Sequence, residues 1–452
     1  MKKFYLFLCS VSMLFLNACG QNKDFIDIKE VKTDFGVTAW LVEDHTLPII
    51  SMRFAFNQGS VMDTVETQGA HNLMARMLTH GAGPHDNKTF KALLDNQNIT
   101  LEFGATRDAL YGSLKTLTKN KENAAEYLRL ALTEPHFDEG EFETLKSQSI
   151  ARIKSNLSRP DWVAARLNND IVYQDHPYAL NSGGTLSSLK NISTETLRER
   201  HTKALSTKDL NIVVVGDITS IELKEYLVSI FGNIPKTKDG VAVPTIPVQN
   251  LGQKYLYEMD IPQTFLKVIW PGVTRKDDDY YKVEVMNHIF GGGGFGSRLM
   301  EEIREKRGLT YGVYSRLNLK KHANYLSSEL STQNATAKEA LDLIMLEAKN
   351  LTQASVSEDE LQAAKDYLIG SLPLKFTSSD QITSVLLDMR LKDLPRDAFD
   401  KRTKIIRDMT LDDIQDVAKK LLSSEPLIVA VGKPDGFDLD SWSIIEDIPN
   451  AE

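Results

Sequence analysis

Cysteine is almost absent from this 452-residue chain: Cys9 and Cys19 are its only two, and both fall within the first twenty residues. Neither a disulfide nor a thiolate metal site can therefore form in the body of the protein. A cationic surplus is also missing, since 53 Lys and Arg face 62 Asp and Glu and the formal net charge is −9. Affinity for a phosphate backbone depends on such a surplus, so no nucleic-acid partner is expected. Beyond the N-terminus no apolar run approaches the length of a membrane span, and the mature body is expected to be soluble. What is present is globular in balance, with 42% hydrophobic and 25% charged residues. That balance excludes disorder, collagen and coiled coil, and the length suits two to three domains.

The N-terminus has its own character. Lys2 and Lys3 precede an apolar stretch from Phe4 to Leu16, too short to span a bilayer but suited to a secretory signal. Leu16-Asn17-Ala18-Cys19 resembles the bacterial lipobox, in which cleavage leaves a cysteine that is then lipidated. Residues 1–18 are accordingly expected to be removed, leaving Cys19 first; the plainer alternative is a small residue near an ordinary cleavage site. Acyl chains contribute about 0.8 kcal/mol per buried methylene, enough in combination to hold a protein on a membrane. Gly20 and Gln21 follow, without an aspartate to suggest inner-membrane retention. The expected location is the periplasmic face of a bacterial outer membrane.

Along the rest of the chain the clearest signal is a duplication. A helix-like segment from Thr196 runs into the β-branched stretch Leu210 to Gly216, and a second from Thr410 runs into Pro426 to Gly432. Upstream of each lies an apolar helix ending in glycine, His71 to Gly81 and Val283 to Gly291. The separations Gly81–Gly216 and Gly291–Gly432 are 135 and 141 residues, which implies two similar α/β halves. Lys236 to Asn250, rich in Pro, Gly and charge, reads as the linker between residues 19–235 and 251–440, with 441–452 as a tail. Ile49 to Phe56 and Phe265 to Trp270 read as strands, and Ser357 with Glu360 as a capping box.

Several separate segments carry a resemblance. They are Gly69-Ala70-His71-Asn72-Leu73-Met74-Ala75-Arg76-Met77-Leu78-Thr79-His80-Gly81, His176-Pro177-Tyr178, Gly183-Gly184-Thr185 and Val214-Val215-Gly216-Asp217 in the first half. In the second half they are Gly291 to Gly294, Ser297-Arg298-Leu299-Met300 and Arg304 to Tyr311. The chain resembles the insulinase/pitrilysin-type peptidases, above all their half-length bacterial members and the mitochondrial processing peptidase subunits. The resemblance spans nearly all of the mature chain. It implies an α+β fold of two homologous halves, each a mainly antiparallel sheet packed by helices.

Active members of that family carry H-x-x-E-H on the first-half helix, two histidines gripping zinc and a glutamate activating water. In register with Met77-Leu78 and Gly81, the two histidine positions fall on Asn72 and Arg76 and the glutamate on Ala75. A carboxamide is a poor zinc ligand, alanine accepts no proton, and a guanidinium repels a dication. The family's third ligand, a glutamate, should lie between Lys146 and Arg159, where no acidic residue occurs. His71 and His80, nine residues apart, would point to opposite sides of a straight helix, and with His85 they are expected to be helix-end or surface histidines. No metal is expected on this chain. The Asn72-Leu73-x-Ala75 pattern resembles the family's noncatalytic subunits.

The resemblance also implies that an arginine and a tyrosine seven residues apart in the second half bind substrate and stabilise an oxyanion beside zinc; Arg304 and Tyr311 have that spacing. The alternative is that Arg304 pairs with Glu301 or Glu305 while Tyr311 packs on the core. Gly291-Gly292-Gly293-Gly294 closes a helix, the wrong context for a phosphate loop. It resembles a substrate-receiving glycine loop of the noncatalytic processing subunit, and a plain flexible turn is the alternative. Peptide capture in the family resembles strand addition to a sheet edge. Ile99 to Gly104 alternates as a half-buried strand does, with an internal strand the ordinary expectation and a receiving edge the alternative.

The function expected from all this is a noncatalytic subunit that binds peptides or small unfolded proteins and lends Arg304 and Tyr311 to a zinc-bearing H-x-x-E-H partner. Two other readings stand beside it, a zinc endopeptidase acting alone through a departed site and a lipid-anchored peptide-binding scaffold.

Overall fold

The computed structural model describes residues 25–236, 242–354 and 356–448. The expected signal segment, Cys19 and part of the expected linker lie outside the described residues. The first half builds one six-stranded sheet from β1 (Lys29–Lys32), β2 (Thr38–Glu43), β3 (Ile49–Phe56), β4 (Thr100–Ala105), β5 (Leu110–Leu117) and β6 (Asn211–Gly216). The second builds another from β7 (Lys254–Glu258), β8 (Gln263–Pro271), β9 (Val313–Leu319), β10 (Asn324–Gln333), β11 (Leu427–Gly432) and β12 (Ser443–Ile445). Their orders are β1-β2-β6-β3-β5-β4 and β12-β7-β11-β8-β10-β9, so five strands repeat in the same arrangement. Both sheets are mainly antiparallel, with β2·β6 and β7·β11 the matching parallel pairs.

The sixth strand comes from opposite ends of the chain. β1 joins β2 antiparallel, whereas β12 joins β7 parallel. Ser443–Ile445, within the expected tail 441–452, thus contribute a strand to the second sheet, and Trp442 is buried and stacked on Phe437. The glycines that end the two equivalent central strands have left-handed φ of +138° at Gly216 and +145° at Gly432. A Cβ at Gly216 would stand 2.0 Å from the Ile49 carbonyl oxygen, which is why this position carries no side chain.

Among the described residues, eight helices belong to the first half: α1 (Ala70–Met77), α2 (Asn87–Asn96), α3 (Lys121–Thr133), α4 (Glu139–Asn156), α5 (Pro160–Tyr173), α6 (Leu186–Asn191), α7 (Thr194–Ala204) and α8 (Ser220–Phe231). Six follow in the second half: α9 (Tyr280–Asn287), α10 (Ala337–Gln353), α11 (Glu358–Gly370), α12 (Ser379–Leu391), α13 (Ala398–Asp408) and α14 (Leu411–Leu422). Capping residues fix several starts. Ser193 takes the Thr196 amide at α7, Thr410 that of Asp413 at α14, and Ser357 that of Glu360 at α11.

Strand alternation explains how the halves join. On β6, Ile212 and Val214 face the first core while Val213 faces away; on β11, Ile428 and Ala430 face the second core while Val429 and Val431 face away. The outward residues are covered by the other half. Val163, Leu167 and Val172 of α5 pack on Phe265, Ile269 and Val429 of the second sheet. Leu386, Leu387 and Met389 of α12 pack reciprocally on Trp40, Ala55 and Val213 of the first. Each half lends one helix to its neighbour, so the central strands are buried on both faces and read as continuous apolar runs.

The described part of the linker is pinned at this junction. Ile246 donates to the His322 carbonyl at 2.9 Å, Val248 is buried beside α5, and His176 Nε2 donates to the Pro244 carbonyl at 2.9 Å. β4 contains most of the segment Ile99 to Gly104, and it is an edge strand rather than the internal one expected. Its outer side pairs with no other strand among the described residues.

Candidate functional site

Helix α1 is shorter than its periodicity implies. It ends at Met77, and the chain turns through Gly81 at φ +104°. Six of its eight residues are buried, which leaves Asn72 and Arg76, four apart on one face, as its partly open positions. Ala75 is buried. Arg76 turns towards α4, donating from Nη1 to Ser149 Oγ at 3.2 Å and from Nη2 to Gln148 Oε1 at 3.4 Å. Burial, with Arg152 on the same helix, lowers the Arg76 guanidinium below its ordinary pKa.

This donor set does not fit a divalent cation. One face offers a carboxamide and a guanidinium, and α4 answers with a hydroxyl, a second carboxamide and another arginine, so the local field is positive where a dication would need carboxylate or imidazole. Among the described residues, no group of three or more His, Cys, Asp or Glu is arranged to hold a metal ion.

The neighbouring histidines serve the fold. His71 is not at the surface, as one alternative had it, but buried at the start of α1, with Nδ1 donating to Asp63 Oδ1 at 2.6 Å. Asp63 Oδ2 also accepts the Gly69 amide at 3.1 Å, so a buried carboxylate sits at the helix N-terminus where the backbone dipole favours it. Arg200 Nε lies 3.6 Å from the same carboxylate. His80 follows the helix, and burial beside Lys91 pushes its pKa down. His85 sets its ring edge-on to Tyr127. These three imidazoles occupy three separate settings.

In the second half, α9 continues into a wider π-helical turn over His288–Gly292. The first glycines of the run are packing positions: a Cβ on Gly291 would meet Ser315 Oγ at 2.7 Å, and one on Gly292 would meet Asn287 Nδ2 at 2.6 Å. Gly293 is similarly close to the His288 carbonyl. Gly294, at φ +61° in open space, is where the chain turns outwards to present Phe295, 62% exposed.

Arg304 and Tyr311 adjoin that turn. Arg304 Cζ stands 4.5 Å from the Phe295 ring centroid, and Arg304 Nε donates to the Tyr311 carbonyl at 3.2 Å. Tyr311 is 95% exposed and lies before β9, so it does not pack on the core. Glu301 pairs with Lys306 at 3.0 Å rather than with Arg304. The glycine run and the Arg/Tyr pair, separate in sequence, form one outward patch joined by Phe295. Among the described residues no hydrogen bond or ion pair links this patch to Arg76. Sequence reasoning missed Phe295 and Ser149; the first follows a glycine run as an isolated aromatic, while nothing local distinguishes the second.

Known proteins share this fold. The family model for insulinase (peptidase family M16) matches residues 39–185, and that for the peptidase M16 inactive domain matches residues 191–368. A Helicobacter pylori protein described as the non-peptidase homolog YmxG is 27% identical over 390 residues, covering 86% of this chain and 90% of its own. The yeast mitochondrial-processing peptidase subunit beta is 21% identical over 398 residues, covering 83% and 84%. A Pseudomonas fluorescens crystal structure described as a peptidase M16 inactive domain superposes with a TM-score of 0.84 at 26% identity, covering 90% of this chain and 98% of that one. With both halves matched in order by models of one family and the duplicated sheets found again in a solved relative, the chain belongs to the insulinase, or M16, peptidase family.

Proposed function

We propose that this protein is a noncatalytic subunit of a heteromeric M16 zinc peptidase, pairing with a homologue that carries H-x-x-E-H and zinc. The observation that carries the reading is the contrast between the two halves. The first-half face, where a metal would sit, is cationic at Arg76 and Arg152, whereas the second half holds Arg304 and Tyr311 outward on a turn ending in Phe295. A guanidinium and a phenol offer N–H and O–H donors to a carbonyl oxygen gaining charge, which is useful only beside a neighbour's metal. Gly291 to Gly294 shape the turn that adjoins them.

The substrate is an unfolded peptide or small protein, and the free edge of β4 supports capture by strand addition, with backbone hydrogen bonds that tolerate varied sequence. Lipidation at Cys19 would hold the subunit at the periplasmic face of an outer membrane. Co-expression with a zinc-bearing homologue tests the proposal through metal content and peptide cleavage, each measured on the complex and on the separate chains. The reading expects a stable complex that cleaves faster than the zinc chain alone, with no stoichiometric zinc on this chain. A zinc-loaded chain active by itself would overturn it.

A further inference from the structure

A cavity of about 650 Å³ lies at the junction of the two halves, lined from the first half by Arg107 and Asp108 and from the second by Arg275, Lys320, Lys321 and the end of α12. Its volume is that of a small-molecule site, typically about 300–1,000 Å³. None of Asn72, Arg76, Arg304 and Tyr311 lines it.

The wall is cationic in a chain whose net charge is −9. Its three carboxylates are already engaged. Asp108 accepts the Tyr178 hydroxyl at 2.5 Å, Asp388 pairs with Lys392 at 2.7 Å, and Asp393 pairs with Lys276 at 2.8 Å. Arg107, Arg275, Lys320 and Lys321 remain, and among the described residues none of the four has an ion-pair partner. Arg107 spends Nε and Nη2 on the carbonyls of Tyr178 and Leu180. Arg275 lies 3.9 Å above the Tyr280 ring, and its Nη1 is buried with no hydrogen-bond partner. Lys320 Nζ donates to the Tyr173 hydroxyl at 2.7 Å, and burial beside Arg107 and Lys267 pushes its pKa down to about 7. Arg275 Nη1 is thus a buried donor without an acceptor, which is costly, and Arg107, Lys320 and Lys321 bring further like charge to the same concave wall. An anion in the cavity relieves both penalties.

We infer that this inter-half cavity binds a compact polyanion, a small molecule bearing two or more carboxylate or phosphate groups, through Arg107, Arg275, Lys320 and Lys321. Because Arg107 belongs to one half and the other three to the second, the bound anion bridges the halves and stabilises their packing by linkage. The inference is independent of the subunit reading.

The test is calorimetric titration of the purified chain at low salt with citrate and, separately, inorganic pyrophosphate, alongside thermal unfolding. One equivalent of at least one anion is expected to bind and raise Tm, and which one binds identifies the acidic group preferred. Arg275→Ala and Lys321→Ala should each weaken that binding roughly tenfold. Lys321 is exposed and unpaired, so its variant keeps the fold, and Lys419→Ala on exposed α14 surface should bind as wild type. If neither anion binds the wild-type chain at one equivalent, or if the Lys321→Ala variant binds like the Lys419→Ala control, the inference is overturned.

Discussion

The Arg76 guanidinium on α1 is hydrogen-bonded to Ser149 Oγ on α4 at 3.2 Å, so the helix pair that a zinc site would need is instead closed by an arginine. The replacement involves two helices, since the partly open Arg76 on α1 takes its acceptors, Ser149 and Gln148, from α4.

Rebuilding the metal site therefore requires both helices. The triple substitution Asn72→His, Ala75→Glu, Arg76→His should bind zinc weakly, and adding Ser149→Glu should bring it to one equivalent, measured by metal analysis after dialysis. Full occupancy in the wild-type chain would contradict the account.

Asp63 is predicted to be a strong stability determinant. Asp63→Ala leaves His71 Nδ1, the Gly69 amide and Arg200 without their shared acceptor, at a cost of about 3–5 kcal/mol. Denaturant unfolding should show the loss as a lower midpoint with unchanged slope.

Acid sensitivity follows from Glu360. The bidentate Arg298 guanidinium, at 2.7 and 3.0 Å, together with the Ser357 amide, holds its carboxyl down at about 2. The folded state thus binds the proton less readily than the unfolded one. The resulting stability is complete above the ordinary carboxyl pKa near 4.5 and is lost as pH falls towards 2. Arg298→Ala should flatten this dependence in pH-resolved melting curves. Because Glu360 is about one-third exposed, the effect should be modest.

Lys320 acts in the alkaline range. Both states carry the proton below about pH 7, but only the unfolded state keeps it between there and the ordinary value of 10.5, so stability should rise with pH across that range. Lys320→Met should remove the rise and be more stable than wild type at pH 7.

Much of this was legible in the chain. The β-branched runs ending at Gly216 and Gly432 marked the duplication because a central strand buried on both faces has no polar alternation to hide it. The departure from a metal-binding motif was legible in the residue types themselves, since Asn72, Ala75 and Arg76 cannot do what imidazole and carboxylate do. The exchange of α5 and α12 was not, because which sheet a helix covers is decided by contacts distant in sequence. The edge position of β4 and the late strand β12 escaped for the same reason. Phe295 was invisible as a site residue until folding set it against Arg304.

The most direct measurement is steady-state peptide cleavage by the complex of this chain with a zinc-bearing homologue, comparing wild type with Arg304→Ala and Tyr311→Phe. Loss of one oxyanion donor predicts a fall in kcat of roughly 10²-fold for Arg304→Ala, and a smaller fall for Tyr311→Phe, with complex assembly unchanged by gel filtration. Unchanged kcat in both assembled variants would contradict the account.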